Sequence, residues 1–254
     1  FNKKILKKTI NYLNNGNVVG LPTETVYGLG GNAYSRKSTK KIFRLKGRPK
    51  SNPLIIHYYS LNGALKDVHE NKYFIKLYKK FCPGPITFIL NKKINSKIHP
   101  LPLAGLKTVA IRFPNHRIIR SILKNIKFPL AMPSANKSKR VSPICAKDVF
   151  EDFQKKIPLI IDGGDSDVGI ESTVIDLTSS PKILRPGKID INAIEKVLKL
   201  KIYKSNKSYS KTKSPGLMKK HYSPGIPVLI NQKIHDGKSA FVYLGKKYIN
   251  RKNF

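Results

Sequence analysis

The sequence has 254 residues, 40% of them hydrophobic, and sets 50 Lys and Arg against 14 Asp and Glu for a net charge of +36. That length buries one sizeable core, or one core and the start of another. No apolar run reaches the ~18 residues that cross a bilayer, and Cys82 and Cys145 are too few for a disulfide framework and lack metal-ligand spacing. A cytoplasmic protein without a membrane span is the expectation. The charge attracts polyanions and raises encounter rates with RNA, DNA or nucleotides. Most of the excess, however, is lysine scattered through a chain also rich in Ile and Asn, as an A/T-rich genome would produce, so charge does not identify the partner.

The chain opens on Phe1 rather than Met, which reads as an incomplete N-terminus. Its first residues lack a compact apolar core and a small-residue cleavage site, so they are not a signal peptide. Ile5, Leu6, Ile10 and Leu13 fall on one helical face, and Asn14-Asn15-Gly16 stops that helix. Asn17 to Leu21 is the first strand. A polar loop with Thr23, Glu24, Thr25 and Tyr27 then leads into Gly28-Leu29-Gly30-Gly31. Ser35 is placed to cap a helix from Arg36 to Leu45, with Gly47 beyond its end and Pro49 blocking continuation. Leu54 to His57 is a strand, and Leu61 to Phe81 is helical with a break near residues 69–71. Cys82-Pro83-Gly84-Pro85 turns the chain into a buried strand, Ile86 to Leu90.

Thr108 to Phe113 is a strand carrying one cation, Arg112, and Asn115 is read as the cap of a helix to about Lys124. Pro129 to Met132 leads into Pro133-Ser134-Ala135-Asn136. A short helix from Cys145 to Phe153 precedes strands at Leu159 to Ile161, Glu171 to Leu177 and up to Arg185. A last amphipathic helix spans Asp190 to Leu198. Residues 200–225 are rich in Lys, Ser, Asn and Tyr and read as a linker. Residues 226–254 read as the truncated start of a second domain, leaving 1–199 as the main domain. Strands and helices interleave without strict alternation, which predicts an α/β fold with a mixed sheet.

The glycine cluster meets neither the dinucleotide-binding nor the P-loop fingerprint, and a tight turn explains it as well as a ligand does. Lys46 and Arg48, two apart in a loop constrained by Gly47 and Pro49, can clamp a phosphate or carbonate; a solvated basic loop is the competing reading. Arg112, in an otherwise apolar strand, needs an anionic partner, a route to solvent or a place at a sheet edge. Arg185 invites the same weighing. Ser134 and Asn136 offer donors where α/β sheets place ligands, or simply cap a turn. Ser172 opens a strand towards the same side, and His57 ends one, as a substrate contact or a satisfied histidine. No nucleophile elbow is present.

The blocks PTETVYGLGGNA, KGRPKSNPLIIH, CPGPITFIL, TVAIRFP, PSANKSKRVSP, GIESTVIDL, LRPG and SPGLMKKHYSP resemble, in this order, the YrdC/Sua5 family of threonylcarbamoyl-AMP synthases. The resemblance runs from about Asn17 to Pro224. It implies a YrdC-like twisted mixed sheet with flanking helices around a large concave basic cavity, a lid-like linker, and a Rossmann-like Sua5 domain of which only the beginning is present. It implies a nucleotidyltransferase that converts L-threonine, bicarbonate and ATP, with Mg²⁺, into L-threonylcarbamoyl-adenylate and pyrophosphate. The product would feed t6A formation at position 37 of tRNA through a separate threonylcarbamoyl transferase complex. On matching positions, Thr23, Tyr27, His57, Arg112 and Ser172 are implied for threonine, and Lys46 and Arg48 for bicarbonate and phosphate. Lys50, Thr108, Ser134, Asn136, Ser142 and Arg185 would surround ATP together with Lys46, and His221 and Tyr222 would cover it. A double-stranded RNA or tRNA-binding module of the same fold is the alternative. A carbamoyl-transfer accessory domain fits less well, because zinc-finger cysteines are missing.

Overall fold

The computed structural model describes residues 1–202, which lie in the first of two compact units, residues 1–222 and 223–254. The linker and C-terminal segment expected beyond them, with His221 and Tyr222, lie outside the described residues. Seven α-helices are described: α1 (Lys3–Asn14), α2 (Arg36–Lys46), α3 (Leu61–Ala64), α4 (Lys72–Phe81), α5 (Arg117–Lys124), α6 (Ala146–Phe153) and α7 (Ile191–Leu198). The strands are β1 (Val19–Leu21), β2 (Gly28–Asn32), β3 (Ile55–His57), β4 (Ile86–Asn91), β5 (Thr108–Arg112), β6 (Leu130–Ala131), β7 (Thr173–Asp176) and β8 (Lys182–Arg185). They form one mixed sheet in the order β1-β2-β6-β3-β5-β4-β7-β8, with β3/β5 and β4/β7 parallel and the other pairs antiparallel.

Local chemistry sets the helix ends. Asn2 caps α1, and Thr9 and Leu13 are its buried residues. Ser35 accepts from the Ser38 amide to open α2, which Gly47 closes at φ +59, a left-handed value natural to glycine. Asn71 accepts two amides to start α4 after the expected break. The cap of α5 is His116 rather than Asn115: its Nδ1 accepts from Ile118, while the Asn115 amide donates to the Glu24 carboxylate.

Two-residue alternation divides the central strands between two faces. Ile56, Phe88, Ile111 and Ile175 join the main core, where Phe74, Tyr78 and Phe113 pack ring against ring. Ile55, Ile89, Ala110 and Val174 form a small apolar row on the other face. A further cluster joins α1, α5 and β1 through Leu13, Ile118, Ile119 and Val19. Among the described residues no helix is long and apolar enough to cross a membrane.

Two further sequence readings change. The glycines at 28, 30 and 31, left open between a tight turn and a ligand loop, lie in β2, antiparallel to β1. They admit crowding neighbours: a Cβ on Gly28 would stand 2.5 Å from Met132 Cγ, and one on Gly30 would stand 2.9 Å from Leu21 Cδ1. Leu159 to Ile161 forms no strand. It makes one isolated parallel bridge, Gly20 to Ile160, a segment too short to extend the sheet.

Candidate active site

The strand register builds the site. His57 pairs with Arg112 across β3/β5, and Arg112 with Thr87 across β5/β4. The Thr87 hydroxyl lies 2.7 Å from the Ser172 hydroxyl at the mouth of β7. These four residues sit one step beyond the apolar row of Ile55, Ala110, Ile89 and Val174, on the same face, with neighbouring strands about 4.8 Å apart. The concave face therefore changes from an apolar floor to a polar edge within two residues. All four side chains in that edge are buried.

A cleft opens over this edge, lined by Thr23, Tyr27, Arg48, His57, Arg112, Ser134, Ser172 and Arg185, with Asn52 and Glu171 among the remaining wall residues. Eight sequence-derived candidates thus meet in one place from seven separated segments. Lys46, Asn136 and Ser142 stand just behind the wall. Lys46 Nζ donates to the carbonyls of Ser134, at 2.6 Å, and of Asn136. Ser134 Oγ donates to Asn136 Oδ1 at 2.6 Å, and Ser142 Oγ to Glu171 at 2.7 Å. Lys50 is exposed and lines no part of the cleft. Thr108 shares the Arg112 face but lies about 13 Å down β5.

The competing readings of the cations now separate. Lys46 ends α2 and is 3% exposed, which rules out a solvated basic loop. Burial, then the like charge of Arg48, holds its ammonium well below the usual lysine range, while Asp152 and Glu171 act in the opposite sense. Arg48 is anchored by Asn52 and Pro53, its Nε donating to Asn52 O at 3.0 Å and its Nη2 to Pro53 O at 2.8 Å. Burial, then the nearby Arg185, disfavours its charged form, as expected where two guanidiniums face a shared anion. Arg112 is no edge residue: β5 lies between β3 and β4. Its Nη2 is 2.8 Å from Glu24 Oε1 in a buried ion pair, and its Nε has no partner among the described residues. Arg185 donates from Nε and Nη2 to the Ser172 carbonyl, at 3.1 and 2.9 Å.

Tyr27 ties the cleft to the 162–165 turn: its hydroxyl donates to Gly164 O at 2.7 Å and accepts from Gly163 N at 3.0 Å. Thr23 Oγ1 donates to Val26 O at 2.6 Å and shapes the loop before β2. The serine hydroxyls in the cleft bond to Asn136 and Thr87 rather than to a histidine. Asn52, Glu24 and Glu171 were not singled out from the sequence. Asn52 precedes Pro53 as turn residues commonly do, and the anion that Arg112 demands is not identified by any local signal at Glu24.

Burial, then Arg112, holds the His57 imidazole well below its ordinary range. The unfolded chain takes up this proton near pH 6.5 and the folded chain only at lower pH, so stability falls as pH drops through that window. Burial also lowers His99 and His116, so the informative quantity is the difference between variant and parent. His57→Gln is expected to flatten the acid side of the curve by up to about 1.4 kcal/mol per pH unit. Urea midpoints between pH 7 and 5 check this, and parallel curves would reject it.

Gly187 supports the same corner. A Cβ there would lie 2.4 Å from Thr173 N, 2.6 Å from Glu171 O and 2.7 Å from Ser172 C, all backbone atoms. Gly187→Ala is expected to push β8 away from the Ser172 corner at a cost of about 1–3 kcal/mol. A thermal melt reads the cost, and an unchanged melting temperature would contradict it.

The family profile Sua5_yciO_yrdC, described as telomere recombination, matches residues 11–187. The chain belongs to the Sua5/YciO/YrdC family. A second profile, Sua5_C, described as the C-terminal domain of threonylcarbamoyl-AMP synthase, matches residues 189–252. Its match begins near α7, although Ile194 and Leu198 of that helix pack into the main core. The chain is 42% identical over 252 residues to the threonylcarbamoyl-AMP synthase of Pyrococcus abyssi, covering 93% of this chain and 73% of that protein. It is 37% identical over 260 residues to the Schizosaccharomyces pombe protein of the same name, covering 90% of this chain and 64% of the relative. The crystal structure of P. abyssi Sua5 complexed with L-threonine superposes with a TM-score of 0.82 at 41% identity, covering 88% of this chain and 67% of that one. This Sua5-family chain therefore spans between about two thirds and three quarters of the length of these relatives.

Proposed function

We propose that this chain is an L-threonylcarbamoyladenylate synthase that joins L-threonine, bicarbonate and ATP and releases pyrophosphate. The observation that carries the reading is the convergence of Arg48, Arg112 and Arg185 with the Ser134 and Ser172 hydroxyls on one cleft. The P. abyssi relative, named for this reaction and seen with L-threonine, supports it.

In the proposed reaction the neutral threonine amine attacks the carbonate carbon, water leaves, and an N-carboxylate forms. A carboxylate oxygen then attacks the α-phosphorus of ATP; the bond to the β-phosphate oxygen breaks, and pyrophosphate departs. No protein nucleophile is consumed. The protein's work is to hold three reactants together, exclude water from a labile carbamate, and place cations against growing negative charge. Arg112, with Thr23, Tyr27, His57 and Ser172, takes threonine. Arg48 faces bicarbonate and the phosphates, and Lys46 backs it by holding the Ser134 and Asn136 carbonyls behind the wall. Ser134, Asn136, Ser142 and Arg185 serve the nucleotide, and Lys50 and Thr108, which stand away from the cleft, are left out of it.

Mg²⁺ belongs to the same proposal. Among the described residues no group of three His, Cys, Asp or Glu forms a cage. Mg²⁺ bound to a nucleotide needs only one or two carboxylates, and Glu171 supplies one on the cleft wall. When bound, the ion neutralises phosphate charge. Cytoplasmic residence, delivery of the product to a threonylcarbamoyl transferase complex, and use in t6A37 formation on tRNA complete the reading.

Pyrophosphate release should require threonine, bicarbonate and ATP together, and omitting any one should return it to background. Release that ignores threonine would reject the threonine assignment.

A further inference from the structure

β4 runs between β5 and β7 and is apolar from Ile86 to Leu90 except at Thr87. Valine has the same branched shape and suits a strand as well, so packing alone does not call for a hydroxyl there. Thr87 is fully buried and lines no part of the cleft. Among the described residues its Oγ1 meets one partner, Ser172 Oγ at 2.7 Å. A hydroxyl sealed in the interior is costly unless its proton finds an acceptor.

That requirement fixes the direction of the bond. Each hydroxyl brings one proton, and either oxygen could give it. With Ser172 as donor, the Thr87 proton would be left in a closed site with no acceptor among the described residues. With Thr87 as donor, that proton is met and Ser172 receives it. Ser172 Oγ also lies 3.2 Å from Arg185 Nη2, a group that can only donate. Both lone pairs of Ser172 are then filled, and its own proton is what remains. Ser172 lines the cleft, so this proton is turned into it. Arg112 stands in register beside Thr87, its Nε buried and without a hydrogen-bond partner among the described residues. Two neighbouring groups at this corner therefore both act as donors.

We infer that Thr87 is a positioning residue, which locks the Ser172 hydroxyl as a donor aimed at an acceptor oxygen of the bound amino acid. The identity of that amino acid rests on the synthase reading. Thr87 itself lies behind the wall and acts only through Ser172. Without the Thr87 proton, Ser172 still reaches the ligand, but its hydroxyl turns freely and must be ordered each time the ligand binds.

Isothermal titration calorimetry of the full chain with L-threonine and, separately, with ATP tests it. Thr87→Val is expected to weaken threonine binding about three- to tenfold, the worth of one net hydrogen bond, and to leave ATP affinity within about twofold. Thr87→Ser keeps the proton and should return threonine affinity to within about twofold of the parent, which a packing role for the methyl group would not do. Ser172→Ala removes the group being positioned, so adding Thr87→Val to it should change threonine affinity by less than about twofold. Thr87→Ala supplies the same comparisons if the valine variant does not fold. Threonine binding by Thr87→Val equal to the parent would overturn the inference and leave the synthase reading standing. A loss that persists in Thr87→Ser, or that repeats in the Ser172→Ala background, would overturn it as well. A parent chain that binds ATP but not threonine would sink the synthase reading and this inference together.

Discussion

Arg112→Ala is expected to cut threonine-dependent pyrophosphate release about a thousandfold and to destabilise the fold by about 3–5 kcal/mol. The two losses have different origins. Arg112 and Glu24 form a buried pair at 2.8 Å, so removing the guanidinium leaves the carboxylate unpaired inside the protein. Breaking one half of such a pair costs more than replacing both halves by apolar groups. Arg112→Met combined with Glu24→Leu should therefore recover much of the stability while activity stays lost. Urea denaturation of Arg112→Met, Glu24→Leu and the double variant, set beside their turnover, gives the coupling. A single Arg112 variant that keeps both stability and turnover would remove this residue from the site.

Lys46→Met is expected to lower turnover by about two to three orders of magnitude. It should also cost about 1–3 kcal/mol for each carbonyl left without a donor. The ammonium holds the Ser134 and Asn136 carbonyls from behind the cleft wall, so methionine keeps the stem and removes the grip. Lys46→Arg should not rescue, because a planar fork cannot meet acceptors arranged around a single ammonium. If Lys46→Met is destabilised but turns over normally, the residue is a strut for the loop and takes no part in the chemistry.

Much of the fold is legible in the sequence wherever local signals are strong. Ser35 and Gly47 bracket α2, Asn71 restarts the helix after its break, and the apolar runs at 54–57, 86–90 and 108–113 all become strands of the sheet. Reading fails where a residue answers to a distant partner. The glycines of β2 look like a turn because nothing local reveals Met132 and Leu21 pressing on them. Leu159 to Ile161 has strand composition, but sheet membership is decided by Gly20 across the chain, and one bridge is all it offers.

The site divides in the same way. Arg112 announces itself as a cation in an apolar strand, and the structure supplies Glu24 as its answer. Lys46 and Arg48 look equivalent two residues apart, yet one is buried behind the wall and the other lines the cleft. Helix geometry at the end of α2 separates them, and spacing alone does not show it. The row from His57 through Arg112 and Thr87 to Ser172 depends on strand order and register, so Thr87 drew no attention in the sequence as one threonine in an apolar run.

The central claim is that one basic edge of a mixed sheet brings an amino acid, an inorganic carbon source and a nucleotide into reacting distance. Incubation with threonine, ATP and carbon-13 bicarbonate, followed by mass spectrometry of the unquenched mixture, tests it directly. A threonylcarbamoyl-adenylate carrying a single heavy carbon is the predicted product, absent when threonine is withheld. An adenylate of threonine itself without the label, or ATP cleaved with no labelled product, would contradict it.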